Sequence, residues 1–183
     1  MSKFSQITID GEIYNLEHLN PFPVTFTQSA KAIDTAKHYS CIFEFSSHCF
    51  TRSINSRQGE SIHSVPSGLI YNDKKETRLF CTEQYTLSKY LPDILRNLDT
   101  HKCFFTSADD KFLTIELITQ DKTIQYEIYF SLKKSTQPNT DIHIFINSAY
   151  PRTNALKHQK RKPISFFILL HNTLHNKKIR KPI

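Results

Sequence analysis

The sequence predicts an α+β protein: an N-terminal group of strands, one main helix, and then a curved antiparallel β-sheet meander with the helix on one face. Three observations predict it. Between about Glu83 and Leu98, the residues Leu87, Tyr90, Leu91, Ile94, Leu95 and Leu98 recur at spacings of three and four, which stacks them on one helical face. Five strand-like segments follow in succession, separated by polar turns, two of them short and the links at 134–141 and 151–162 longer, which points to an antiparallel meander. The chain before the helix is cut into short strand-like pieces by turn residues. At 183 residues, with 38% hydrophobic, 12% aromatic and 22% charged side chains, the chain reads as one folded domain over 1–183. In it, 1–82 supplies the first strands and a flap, and 83–183 supplies the helix, the sheet and a basic C-terminal segment.

Each element has a local reason. Ile7 to Ile13 reads as a strand pair turned by Asp10-Gly11, and Pro23 to Thr27 as a strand. Tyr39 to Ser46 alternates and is rich in aromatic residues, so it reads as a strand that delivers Ser47-His48-Cys49-Phe50-Thr51-Arg52 to its end. Residues 53–75 are rich in Ser, Asn, Gly and Pro and lack period, which predicts a long loop. Pro92 falls inside the helical pattern, where it either kinks the helix or opens a new first turn. The later strands are expected at 102–106, 112–119, 123–133, 141–150 and 163–171. Tight turns are expected at Ala108-Asp109-Asp110-Lys111 and Gln120-Asp121-Lys122, and a strongly basic loop at 151–162.

Charge divides the chain sharply. The last acidic residue is Asp141, and the 42 residues after it carry nine Lys or Arg and no Asp or Glu. The net charge of +7 therefore comes from this segment. Lys157, Lys160, Arg161 and Lys162 form one cluster; Lys177, Lys178, Arg180 and Lys181 form the other. Such a field attracts polyanions, of which nucleic acid is the commonest in the cytosol, and an acidic protein would answer to it equally. Basic ends are also often solvated and bind nothing. Against that stands Ile164-Ser165-Phe166-Phe167-Ile168-Leu169-Leu170, too apolar to dangle in water, so the tail is expected to fold in.

Several classes are excluded or disfavoured. Gly11, Gly59 and Gly68 are the only three glycines, so no P-loop or dinucleotide-binding fingerprint exists. No stretch reaches the roughly 18 apolar residues of a membrane span, and the N-terminus lacks a signal-peptide core. A cytoplasmic protein with no membrane association is expected. Cys41, Cys49, Cys81 and Cys103 form no CxxC pair and each adjoins an apolar stretch. Neither a metal nor a cofactor is expected.

The chemistry that remains is that of a metal-independent ribonuclease, which needs a base, an acid and cations around the phosphate. Two clusters offer those groups. His48, Phe50 and Arg52 would share a face at a strand end, as would Ser148, Tyr150 and Arg152 if extension persists past Pro151. A hydrogen-bonded structural histidine and a rim tyrosine are the alternative readings of His48 and Tyr150.

The segment Ile144-Phe145-Ile146-Asn147-Ser148-Ala149-Tyr150-Pro151, preceded by a helix and a meander, resembles the late strand of the barnase, EndoU, colicin and RelE group of nucleases. In order along the chain, His48 to Arg52, Leu91 to Ile94 and Ser148 to Arg152 also resemble segments of small uncharacterised bacterial proteins of phage and plasmid neighbourhoods, some labelled stationary-phase growth adaptation proteins. The nuclease resemblance implies a toxin-like or defence endoribonuclease. His48 would then be its base or acid, Arg52 and Arg152 its phosphate clamps, and Ser148 and Tyr150 the groups that orient the phosphate. His143, His158 and His171 are available as the second acid or base, and nothing in the sequence selects among them. RNA is the expected partner, with the two basic clusters along its backbone. The alternatives are a non-enzymatic nucleic-acid-binding module and a module that docks an acidic partner protein or antitoxin.

Overall fold

In the computed structural model the described residues are 4–30, 35–73, 76–106, 111–119, 123–152 and 162–181. The chain opens with a hairpin of β1 (Gln6–Ile9) and β2 (Glu12–Asn15). Its two-residue turn needs positive φ at both positions, and Asp10 (φ 49°) and Gly11 (φ 84°) supply it. Next come β3 (Phe22–Gln28) and β4 (Lys37–Phe45), and then three short strands: β5 (Thr51–Arg52), β6 (Ile70–Asn72) and β7 (Thr77–Phe80). Two helices, α1 (Thr82–Ser88) and α2 (Leu91–Arg96), lead into β8 (Cys103–Phe105), β9 (Phe112–Thr119), β10 (Thr123–Lys134) and β11 (Ile142–Arg152). A last helix, α3, spans Phe166–Leu174.

The principal sheet has six strands in the order β3-β4-β11-β10-β9-β8, and β5, β7 and β6 form a smaller antiparallel one. The expected α+β meander with one main helix is therefore corrected to a mostly β architecture whose main sheet is mixed. Its run from β8 to β11 is antiparallel, but β11 then pairs in parallel with β4, from Ile142 opposite Cys41 to Ile146 opposite Phe45. Asp141 sets that register: its carboxylate accepts the Ser40 amide at 2.8 Å, and its own amide donates to the Ser40 carbonyl at 2.7 Å.

Two further expectations fail for identifiable reasons. The strand expected at 163–171 is helix α3, in which Phe166, Leu169 and Leu170 are buried while Ile168 is 49% exposed. A continuous apolar run carries no period of its own, and the spacing of these three, starting just after Ser165 at the N-cap, is helical. The helix expected over 83–98 is two helices. Pro92 has no N–H to give to Ser88, so the first helix stops there and Pro92 takes its favoured place in the first turn of α2. Within the loop expected at 53–75 lie β6 and two single turns of 3-10 helix, Ser56–Gln58 and Ser67–Leu69.

Strand alternation gives the main sheet two unlike faces. The inner one carries Phe43 and Phe45 of β4, Tyr126, Ile128 and Phe130 of β10, and Ile142, Ile144, Ile146 and Ala149 of β11, all buried. Against it packs α3, with Phe166 edge-on to Phe26 at 5.0 Å. The outer face carries Glu44, Gln125, Glu127, Tyr129, Ser131, Lys133, His143, Phe145, Tyr150 and Arg152. A bulge between the Tyr129 and Phe130 pairings inserts Asn147 into β11. Inward residues therefore shift from Ile146 to Ala149, and Ser148, Tyr150 and Arg152 come to lie on the outer face.

Candidate functional site

The first polar cluster is not an extended strand end. β4 leaves the sheet at Ser46, whose amide donates to the Ile146 carbonyl at 3.0 Å and whose hydroxyl donates to the Asn147 carbonyl at 2.7 Å. The Ser46 hydroxyl also accepts the His48 amide at 3.2 Å and caps a 3-10 turn over Ser47–Cys49. That turn abolishes the expected common face. Phe50 is fully buried, whereas His48 and Arg52 each reach a carboxylate. His48 Nε2 lies 2.6 Å from Glu76 Oε1. Arg52 donates to both oxygens of Glu60, each at 2.7 Å, and this fork, with the Asn55 amide, pulls the Glu60 carboxyl down to about 2.

Behind His48 stands Arg78, only 5% exposed. It donates to the Thr51 hydroxyl at 2.7 Å and carbonyl at 3.1 Å, and to Glu76 at 3.3 Å. Glu76 is held below the usual carboxylate range, first by its bond to His48 and further by Arg78. His48, Glu76 and Arg78 thus form a hydrogen-bonded chain running from the surface into the small sheet.

In the second cluster extension does persist, since Ser148, Tyr150 and Arg152 all lie within β11. Their partners come from β10. Arg152 donates to both oxygens of Glu127, at 2.9 and 2.7 Å. The Glu127 side chain is only 2% exposed, and it also accepts from Tyr129 at 2.6 Å and Gln125 at 3.1 Å. Tyr150 stacks on Tyr129 with centroids 5.4 Å apart and planes at 19°. Burial and the Glu127 bond drive the Tyr129 phenol far above its usual range, which stabilises the protonated hydroxyl. Glu127, the centre of this cluster, is absent from the sequence reading; its signal was a lone acid inside Tyr126-Glu127-Ile128-Tyr129-Phe130.

The third site lies where the tail meets the sheet. Lys157, Lys160 and Arg161, and the turns expected at 108–110 and 120–122, lie outside the described residues, while Lys162 is exposed. Lys177, Lys178, Arg180 and Lys181 follow α3, and Ile179 between them packs against the core and pins the segment down. Together with Lys133 and Lys134 of β10, these four cations line a groove of about 860 Å³, with Asn172 and Thr173 of α3, Asn176 just after it, and Phe105 and Phe112 in its wall. Among the described residues, no acidic side chain lines it. The positive field reaches its neighbours: burial, then His175, Lys177 and Lys37, depress the pKa of His171. A neutral His171 ring can accept from the Lys177 ammonium, 3.5 Å away.

Beside this groove on the outer face is a smaller cleft of about 350 Å³, lined by Glu44, Ser131, Leu132, Lys133, His143 and Phe145. His143 Nε2 lies 2.8 Å from Glu44 Oε2 across the parallel β4 and β11 pair. Of the three histidines left open as second acid or base, His143 is thus paired on the sheet and His171 sits beside the tail, while His158 is outside the described residues.

A model described as the YjaZ family matches residues 6–174. Protein YjaZ of Escherichia coli (strain K12) is 25% identical over 175 residues, which cover 94% of this chain and 91% of the E. coli protein. No solved structure matches the chain. The match corrects both family resemblances: it runs unbroken from β1 to α3, including the N-terminal strands that had no counterpart in the nuclease group, and it leads neither to those nucleases nor to a phage- and plasmid-associated family. Among the described residues, no helix is long and apolar enough to cross a membrane.

Proposed function

Since the chain belongs to the YjaZ family, we propose as our own reading of its surface that it is an RNA-binding protein of the cytoplasm, and that the groove between α3, the tail and β10 holds the RNA backbone. One observation carries this reading: Lys133, Lys134, Lys177, Lys178, Arg180 and Lys181 converge on one groove that, among the described residues, no carboxylate lines. Cations brought together without counter-charges repel one another, and an outside polyanion relieves that cost while its condensed counterions are released. The Asn172 and Asn176 amides and the Thr173 hydroxyl add the neutral donors that commonly accompany Lys and Arg at phosphates.

The test is fluorescence anisotropy of a labelled RNA 12-mer titrated with the protein across a salt series. Single-strand contacts each contribute roughly 0.7 to the slope of log K against log salt, so six cations predict a slope near −4. No binding at about 50 mM salt would sink the reading, and salt-sensitive association with an acidic protein in place of RNA would move the groove to that class of partner.

A second reading, cleavage of the bound RNA, has one observation in its favour: His48 is paired with Glu76, as an acid–base catalyst requires. The arginines expected as phosphate clamps, Arg52 and Arg152, are instead engaged by Glu60 and Glu127. RNA incubated with the protein in EDTA separates the two readings. Discrete fragments that vanish with His48→Ala mean catalysis, and intact RNA means binding alone.

A further inference from the structure

We infer that the outer-face cleft between β4, β11 and β10 is a nucleobase pocket, and that the base it takes is guanine. The inference rests on the RNA-binding reading above and adds to it a site for a single unpaired base.

Position comes first. Leu132 and Lys133 line both the basic groove, on the α3 side of the sheet, and the cleft, on its outer face, so the two sites are neighbours across the end of β10. A single strand whose phosphates lie against Lys134, Lys177 and Lys178 would bring a base to the cleft by passing round the end of β10 at Lys133. Size comes next. At about 350 Å³ the cleft lies at the lower end of small-molecule sites, which run from about 300 to 1,000 Å³, so it suits one base and excludes a helix or a folded segment.

The lining decides the chemistry. Unpaired bases are held by stacking on flat side chains and by hydrogen bonds to their exposed edges. Phe145 supplies an apolar ring, and the His143 imidazole lies beside it at 6.5 Å, tilted by 32°. Glu44 supplies an acceptor whose orientation is set by His143 at 2.8 Å, and a carboxylate accepts several hydrogen bonds at once. Among the four bases, guanine alone presents two adjacent donors, N1–H and the 2-amino group, on its Watson–Crick edge, and these match the two oxygens of a carboxylate. Lys133 and the Ser131 hydroxyl are donors suited to guanine O6 and N7. Uracil would set its carbonyls against Glu44. In this arrangement His143 is a positioning residue and Glu44 the group that reads the base.

The experiment compares two labelled RNAs, U8 and the same octamer with one central guanine, by anisotropy at one salt concentration. The wild-type chain is expected to bind the guanine-containing RNA roughly fivefold to a hundredfold more tightly. Glu44→Gln keeps an oxygen for the His143 bond but presents an amide where guanine needs an acceptor. It should bring the two affinities together while U8 binding stays as it was. Phe145→Ala, a second and independent variant, should weaken the guanine-containing RNA more than U8. Equal wild-type binding of both RNAs overturns the pocket and leaves the groove standing; a preference that survives both variants also overturns it. Failure of the wild-type chain to bind either RNA overturns the groove and the pocket together.

Discussion

The two ends of β10 handle positive charge in opposite ways. At its start, Arg152 lies against Glu127, which also gathers Tyr129 and Gln125; at its end, Lys133 and Lys134 join four tail cations in a groove that no acid among the described residues lines. The first arrangement is closed, because a buried carboxylate and its arginine satisfy each other and bind the two strands beyond the bulge. The second is open, because its charges gain most from a partner outside the chain. Sequence alone groups Arg152 with the tail as one basic segment. The structure separates them, and function is to be sought in the open set.

Arg152→Ala should break the closed set with the largest effect. It leaves Glu127, with a side chain 2% exposed, as a buried charge without its cation, and such losses cost about 3–5 kcal/mol. Urea unfolding should show that drop, and the paired replacement Glu127→Leu with Arg152→Met should recover most of it, since apolar groups of similar volume remove both charges at once. A stable Arg152→Ala variant with weakened RNA binding would instead make Arg152 a phosphate clamp and erase the contrast between the two ends.

Replacing Lys177, Lys178 and Arg180 by Ala together tests the open set. All three are exposed, while Ile179, which anchors the segment to the core, is kept. Stability should stay within about 0.5 kcal/mol of the parent chain. The salt slope of RNA binding should fall by about 2, near 0.7 for each lost contact. A large stability loss with an unchanged slope would show that these cations hold the tail in place and touch no phosphate.

How much of this was legible depends on whether the signal was local. The hairpin at Asp10-Gly11 and the alternation of 112–119 and 123–133 carry their own period or turn chemistry, and these segments are strands in the structure. Parallel pairing of β4 with β11 joins segments about 100 residues apart, as the Ser40 to Asp141 bond shows, and no neighbouring residue encodes it. That pairing, with α3 in place of a fifth strand, is what turned the expected meander into a mixed sheet. At the site, alternation did place Ser148, Tyr150 and Arg152 together. The carboxylates that take up Arg52, Arg152 and His48 lie 8, 25 and 28 residues away along the chain, beyond the reach of spacing rules. The groove was half visible: the tail cations were plain in the sequence, but Lys133 and Lys134 joined them only through the packing of Ile179 and α3.

The smallest effect concerns the other closed pair, Arg52 with Glu60. Glu60 titrates at about 2 in the folded chain, below the ordinary 4.5, because Arg52 and the Asn55 amide favour its charged form. A carboxyl whose folded value is depressed contributes its stability above the unfolded value and loses it as pH falls through the folded one. The contribution should therefore be whole at pH 5 and above, decline below about 4.5, and be gone under about 2. The pair is partly exposed, with side chains 41% and 20% accessible, so the loss should be local and confined to the turn at 55–60 that the carboxylate ties to Arg52. Limited proteolysis by pepsin across this range should show cleavage within 53–66 rising as pH falls. Glu60→Gln should raise cleavage at pH 4.5 and flatten the dependence; an unchanged profile in that variant would place the titrating group elsewhere and leave the Arg52 fork without a role in holding the loop.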